Sequence, residues 1–385
     1  MIERVHIKNF KSIYDLDINV GRINLFIGEN GSGKSNLLEA LVFVSASQSN
    51  KLDNEFLVTR GLRVTEPTLM RSAFVEETKD KDIEVEITVK GKSLKSIFSN
   101  TNEEYSQWIL DHQINNKDDN SNILNLVNNL LKIKINDKEK VSSFFNNVDE
   151  NFLEKIVENL EKHDIKINNF LIYSPENTAL RIFHDEGKIQ PLGINGEGLL
   201  KLLKVVNNYE DKSYINTIIE SLQLFDWFED IKISDEFSFG EQKLTIKDKY
   251  LYKEIDQRST NEGFLFILFY ITLIVSKETP KSFAIDNIDA SLNPKLCTKL
   301  MTIICDLAKK YNKQIFLTTH NPSILDGIDL KDQEQKLFVV SRNSNGYTHV
   351  KRVTTEDNPI DEDGEMLHLS EAFMRGYLGG LPRGF

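Results

Sequence analysis

The sequence predicts an α/β fold built on a mixed sheet, and three observations carry that prediction. A short apolar run, Ile23-Asn24-Leu25-Phe26-Ile27, passes directly into Gly28-Glu29-Asn30-Gly31-Ser32-Gly33-Lys34-Ser35, after which Leu37, Leu38, Leu41 and Val42 recur at helical spacing. A second strand pattern, Phe283-Ala284-Ile285, ends in Asp286, and a third, Ile315 to Thr319, ends in His320. Strand, glycine loop, helix is the context in which G-x-x-x-x-G-K-[ST] is a phosphate-binding loop and not a chance turn.

The remaining elements follow in order. Val5 and Ile7, then Leu16, Ile18 and Val20, alternate as an antiparallel hairpin, and Ile83, Val85, Ile87 and Val89 mark further strands between residues 71 and 98. From Thr101 to Asn169 the composition shifts to Asn, Lys and Asp, with Leu124, Val127, Leu130, Leu131 and Phe152, Ile156, Val157, Leu160 at helical spacing. The chain therefore divides into an N-terminal part of the nucleotide-binding fold (1–100), a helical insertion (101–169) and a C-terminal part (170–385). In the last, Phe170 to Tyr173 predicts a strand, and the turn at Gly193 to Gly198 precedes a helix through Leu199, Leu202 and Leu203. Alternation predicts strands at Asp235 to Phe239 and Lys243 to Ile246. A long apolar helix covers Gly263 to Val275, and helices are expected at Pro294 to Lys310 and Ser370 to Tyr377, with strands at Ser282 to Ile285, Gln314 to Thr318 and Lys336 to Val340.

Composition narrows the class. Of 385 residues, 40% are hydrophobic and 28% charged, which supports a sizeable core. A net charge of -12 argues against a basic coat for non-specific nucleic-acid binding. Cys297 and Cys305 are the two cysteines, eight apart in a helical pattern, and read as buried thiols. The charged N-terminus is unlike a signal peptide, and no apolar stretch reaches the ~18 residues of a membrane span, so a cytoplasmic protein with no membrane partner is expected. The acids from Glu356 to Glu365 read as a solvated loop.

The motifs assign chemistry to residues. Backbone N–H groups of Asn30, Gly31, Ser32, Gly33, Lys34, Ser35 and Asn36 are placed to surround phosphates, where glycine lets the main chain approach closely. Lys34 would bridge the β- and γ-phosphates of ATP, and Ser35 would offer its hydroxyl to Mg²⁺. Asp286 would hold the same Mg²⁺ through water, and His320, one strand later, would sense the γ-phosphate.

Taken together, Ile7-Lys8-Asn9-Phe10-Lys11-Ser12, Gly28 to Ser35, Asp286 to Pro294 and Thr318-Thr319-His320-Asn321-Pro322 resemble the ABC-type ATPases that include the SMC, RecF and overcoming-lysogenization-defect proteins. The resemblance covers both parts of the nucleotide-binding fold but not the insertion. It implies an ABC-type head with an N-terminal antiparallel β-subdomain, Lys11 and Ser12 near the nucleotide, and head-to-head homodimers in which the partner's signature loop closes each ATP. Two segments compete for that loop. Ser238-Phe239-Gly240-Glu241-Gln242-Lys243 sits between alternating runs as a hairpin turn would, whereas Arg258-Ser259-Thr260-Asn261-Glu262-Gly263 opens the helix leading to Asp286 and is preferred. Ser259, Asn261 and Gly263 are the expected contacts there, with plain N-capping as the structural alternative.

One departure bears on catalysis. After the aspartate the family usually has a glutamate that activates water; here stands Asn287, with Asp289 a little further on as a substitute. The resemblance then implies slow hydrolysis and a regulatory ATPase of an antiphage defence system, acting as a dimer or higher oligomer on a separate effector protein. No TOPRIM nuclease domain is expected after His320. The alternative is a RecF-like repair ATPase that clamps DNA, with Lys132, Lys134, Lys138 and Lys140 as the start of a basic face. A transporter's nucleotide subunit fits less well, because Asn-Phe-Lys-Ser and the insertion belong with the soluble relatives.

Overall fold

The phosphate loop springs from the middle of a six-stranded sheet. The computed structural model describes residues 1–103, 106–115, 167, 169–181, 192–233, 244–360 and 364–381. Three strands open the chain: β1 (Ile2–Phe10), β2 (Ile13–Asn19) and β3 (Ile23–Ile27). Helix α1 (Lys34–Gln48) follows, then β4 (Ile83–Val89), β5 (Lys92–Ser99), β6 (Ile109–Asn115) and β7 (Ile172–Tyr173). Next come α2 (Leu199–Asn207), α3 (Ser213–Leu222), β8 (Phe228–Ile233), β9 (Leu244–Asp248) and β10 (Ile255–Asp256). The rest comprises α4 (Glu262–Val275), β11 (Ser282–Ile285), α5 (Pro294–Lys310), β12 (Gln314–Thr319), β13 (Gln335–Arg342), β14 (Thr348–Val353) and α6 (Leu369–Met374).

The central sheet runs β14-β13-β3-β12-β11-β7, parallel except for β14, and the second sheet runs β2-β1-β4-β5-β6, antiparallel throughout. Strand β3 is buried at all five positions, as expected of a parallel strand covered on both faces. Its alternate residues feed two cores. Leu25 and Ile27 join Leu317, Ile285 and the apolar face of α4, while Phe26 joins Phe316, Phe338 and α1. Helix α1 is buried from Leu37 to Ser47, which its nearly unbroken apolar sequence requires. Gln314 staples the two sheets: its Nε2 donates to Ile2 O and Gly21 O, both at 2.7 Å, and its Oε1 accepts from Ile2 N at 2.8 Å.

Most expected elements form within a residue or two of their predicted ends. One difference lies at the start of the stretch read as a helical insertion. Residues 109–115 form a strand that pairs with β5 from Ser99↔Ile109 to Ser93↔Asn115. The open ladder of β5 explains it, since an unpaired edge recruits neighbouring backbone. The helices expected over Leu124–Leu131 and Phe152–Leu160, the lysines from Lys132 to Lys140, the strand expected at Asp235 to Phe239 and the Ser238–Lys243 turn all lie outside the described residues. The described partners of β9 are β8 and β10, in a third, three-stranded antiparallel sheet. The C-terminal helix stops at Met374, with Gly376 at φ 78 breaking it before Tyr377.

Candidate nucleotide site

Two glycines set the shape of the loop. Gly28 leaves β3 so close to β13 that an added Cβ would lie 1.9 Å from Val340 O. Gly33 has φ +105, and a Cβ there would meet Thr348 Oγ1 at 2.0 Å and Ser12 Oγ at 2.6 Å. No side chain satisfies both the backbone angle and the space. Between them the Ser32 hydroxyl is buried with no hydrogen-bond partner among the described residues. An orphaned donor in a cradle a Cβ would fill suits a phosphate chain.

Lys34 folds back onto this loop, donating to Gly28 O at 2.8 Å and Glu29 O at 2.9 Å, with His320 Nδ1 at 3.5 Å. Burial pushes its ammonium down to about 8 against the pull of Asp286, Asp289 and Glu29. Burial, followed by the charge of Lys34, also lowers His320, favouring a neutral imidazole. The carbonyls that hold Lys34 carry only partial charges, so a phosphate with its full negative charge would outcompete them for the ammonium.

The acid side assembles from the ends of β11 and β12. Ser35 Oγ lies 3.2 and 3.1 Å from the two carboxylate oxygens of Asp286. Thr318 Oγ1 donates to Asp286 and accepts from Asn287 N at 2.9 Å. Asp289 Oδ1 accepts from Thr319 Oγ1 at 2.6 Å and from His320 N at 3.3 Å. Asn287 is exposed, at φ 54 in the left-handed region. Asparagine visits that region more readily than glutamate, so the backbone suits the residue present.

Lys11 and Ser12 reach the same site. Ser12 Oγ lies 2.6 Å from Thr348 Oγ1 and accepts from Asn36 Nδ2 at 2.6 Å, while Thr348 Oγ1 also contacts Ser32 O at 2.8 Å. An open cleft of about 400 Å³ adjoins them, lined among others by Lys11, Asn36, Arg63, Leu69 and Phe74. Asn9, at φ 57, anchors the far wall: Nδ2 donates to Thr78 O at 3.1 Å and Lys81 O at 2.7 Å, and Oδ1 accepts from Ser72 N at 3.0 Å. Sequence reasoning missed Glu39, Arg63, Arg342 and Thr348. Arg342 Nε donates to Gly31 O at 2.7 Å from the end of β13. None of these four stands in a motif; only the Asn-Phe-Lys-Ser pattern pointed toward their neighbourhood.

Within the preferred signature segment, Ser259 and Asn261 bond to residues close by in sequence. Ser259 Oγ donates to Asp256 Oδ1 at 3.0 Å, and Asn261 Oδ1 caps α4 by accepting from Phe264 N at 2.8 Å. Gly263 sits where a Cβ would lie 3.2 Å from Ser291 O, in the turn that follows Asp289. Among the described residues no hydrogen bond joins Ser259, Asn261 or Gly263 to residues 28–36.

A glycine phosphate loop on the central strand of a parallel sheet, faced by Asp286 and His320 from neighbouring strand ends, defines a P-loop nucleotide-binding head. The chain belongs to the family described as "AAA domain, putative AbiEii toxin, Type IV TA system", whose sequence profile matches residues 23–326. Its fold is that of SMC heads. The SMC head solved with the C-winged helix domain of ScpA matches at TM-score 0.56, covering 92% of this chain and 98% of that one at 15% identity. An SMC head with an extended coiled coil, bound to the C-terminal domain of ScpA from Pyrococcus furiosus, matches at 0.50, covering 92% and 96% at 14% identity.

Sequence relatives include the DNA replication and repair protein RecF of Listeria welshimeri, 30% identical over 97 residues, and of Porphyromonas gingivalis, 33% over 105. These alignments cover 24% and 27% of this chain and 25% and 28% of those proteins. An uncharacterized protein of Methanocaldococcus jannaschii is 45% identical over 67 residues, 16% of this chain and 31% of that one. The aligned stretches thus span less than a third of these relatives' lengths. The family match is to an AAA domain, and the fold is that of SMC heads. Among the described residues no helix is long and apolar enough to cross a membrane.

Proposed function

We propose that this chain is a cytoplasmic ATP-gated switch that pairs head to head with a second copy and controls a separate effector protein in an antiphage defence system. One observation carries the reading: Lys34, Ser35, Asp286 and His320 converge, while the Ser259–Gly263 segment makes no hydrogen bond with the loop they surround. A second copy supplying that segment, with its serine hydroxyl and helix N-terminus, would complete the site. The type IV TA system in the family description fits a protein that works with a separate component.

Ser35 and Asp286 present their oxygens together and would hold Mg²⁺, which would neutralise charge on the phosphates when bound. Lys34 would bind the β- and γ-phosphates, and neutral His320 beside it would register the γ-phosphate. Asn287 can orient water but cannot take its proton, so general-base help of about 10²–10⁴-fold is missing. Asp289 is already engaged by Thr319 and His320, which favours a role in placing His320 over one as the base. Turnover is then slow and the ATP-bound dimer long-lived.

Mass measurement with and without ATP tests this. The wild type should double its mass with ATP and Lys34→Ala should not; an ATP-saturated wild type that stays monomeric overturns the reading. Similarity to RecF favours a second reading, a DNA clamp. A gel-shift titration with ATP separates the two, since phosphate contacts weaken steeply with salt.

A further inference from the structure

Glu39 is 1% exposed on the apolar helix α1, five residues past Lys34. A buried carboxylate is unfavourable unless it is paired and its lone pairs are met. Both conditions hold, through two chain segments far apart in sequence. Glu39 Oε2 accepts from Lys11 Nζ at 2.5 Å, and Oε1 accepts from Arg63 Nε at 2.6 Å and Arg63 N at 3.3 Å. Lys11 lies on the β1–β2 turn at φ 49, its backbone N donating to Met70 O at 3.0 Å and its Nζ to Arg63 O at 2.7 Å. Arg63 Nη2 reaches Asn36 Oδ1 at 3.2 Å, while 66% of the Arg63 side chain remains exposed toward the cleft. Two cations against one carboxylate leave the cluster with a net positive charge beside Asn36.

We propose that Glu39 is a positioning residue: its carboxylate aims Lys11 and Arg63 into the cleft beside Asn36, where they meet the ribose and α-phosphate of a nucleotide held by the loop. The inference rests on the nucleotide reading of that loop, in which the backbone surrounds the α- and β-phosphates and Lys34 reaches further along the chain. Because Glu39 and Lys34 share one rigid helix, the phosphate-binding and ribose-side groups keep a fixed separation. Orientation is what the pairing supplies, since a guanidinium fork held at Nε presents its outer nitrogens in one plane.

Isothermal titration of the full chain with ATP tests the proposal as a double-mutant cycle, with thermal melts confirming folding. Glu39→Gln should weaken ATP about tenfold, the equivalent of one charge-assisted hydrogen bond. In a Lys11→Ala/Arg63→Ala background the same change should matter by less than about twofold, because nothing is left to aim. A full tenfold loss in that background, or no loss in the wild-type background, overturns the proposal. Should Glu39→Gln fail to fold, Arg63→Ala alone, at a mostly exposed side chain, is expected to lose about tenfold; wild-type affinity there overturns it equally. A wild-type chain that binds no ATP refutes instead the nucleotide reading beneath.

Discussion

Ser35 Oγ stands 3.1 Å from Asp286 Oδ2, joining the first turn of α1 to the end of β11 across 251 sequence positions. Asp286→Ala should lower Mg²⁺-dependent ATP hydrolysis by about 10²-fold or more, because several kcal/mol of charge stabilisation go with the metal. ATP binding without Mg²⁺ should change by less than about threefold, since Asp286 does not form the loop. Steady-state hydrolysis and binding in chelator check both halves; equal losses in each would mean that the pair is structural.

Asn287→Glu should speed single-turnover hydrolysis by about 10–100-fold through a restored general base. Left-handed strain of about 1–2 kcal/mol at φ 54 limits the gain. An unchanged rate would show that the residue after Asp286 does not govern turnover.

How much of this was legible beforehand depended on locality. The glycine loop, Asp286 and His320 each end a strand whose apolar run is continuous in sequence, so period and punctuation located them. Glu39 is a counter-example. In sequence it interrupts Leu37-Leu38-Glu39-Ala40-Leu41 like any solvent-facing acid, and its burial follows from Lys11 and Arg63 folding against it. Thr348 was equally silent, because its contacts with Ser12 and Ser32 span 336 and 316 positions. Strand β6 was not legible for a related reason: it forms against the edge of β5, which its own composition does not announce.

Gln314→Leu should destabilise the fold by about 2–5 kcal/mol, taking the side-chain partner from Ile2 N–H and Ile2 O and leaving Gly21 O with Asn24 Nδ2 alone. The urea midpoint reports it. A change below about 0.5 kcal/mol would mean that the two sheets hold together without this side chain.

Lys313 is 4% exposed and donates to Thr279 O, Thr279 Oγ1 and Pro280 O. Burial, with the like charge of Lys281, pushes its ammonium down to about 8, whereas an unfolded lysine titrates near 10.4. Between those values the unfolded chain binds more protons, so this residue's contribution to stability rises with pH across the window and its cost is complete below about 8. Urea titrations at pH 7 and pH 10 should show the wild type gaining about 1–3 kcal/mol relative to Lys313→Met. A pH-independent difference would contradict this.

The place of β3 between β12 and β13 constrains when the protein can begin to work. On the ribosome, the phosphate loop and the helix after it emerge long before residues 314–342, which bring β3 its flanking strands. Until then a nascent chain presents an apolar strand with two bare edges, a natural client for chaperones. Thr348, which packs against Gly33, arrives later still. Nucleotide competence is therefore acquired all at once, when β13 and Thr348 have both emerged, so a chain truncated before β13 would be an aggregation hazard and not a partly competent nucleotide binder.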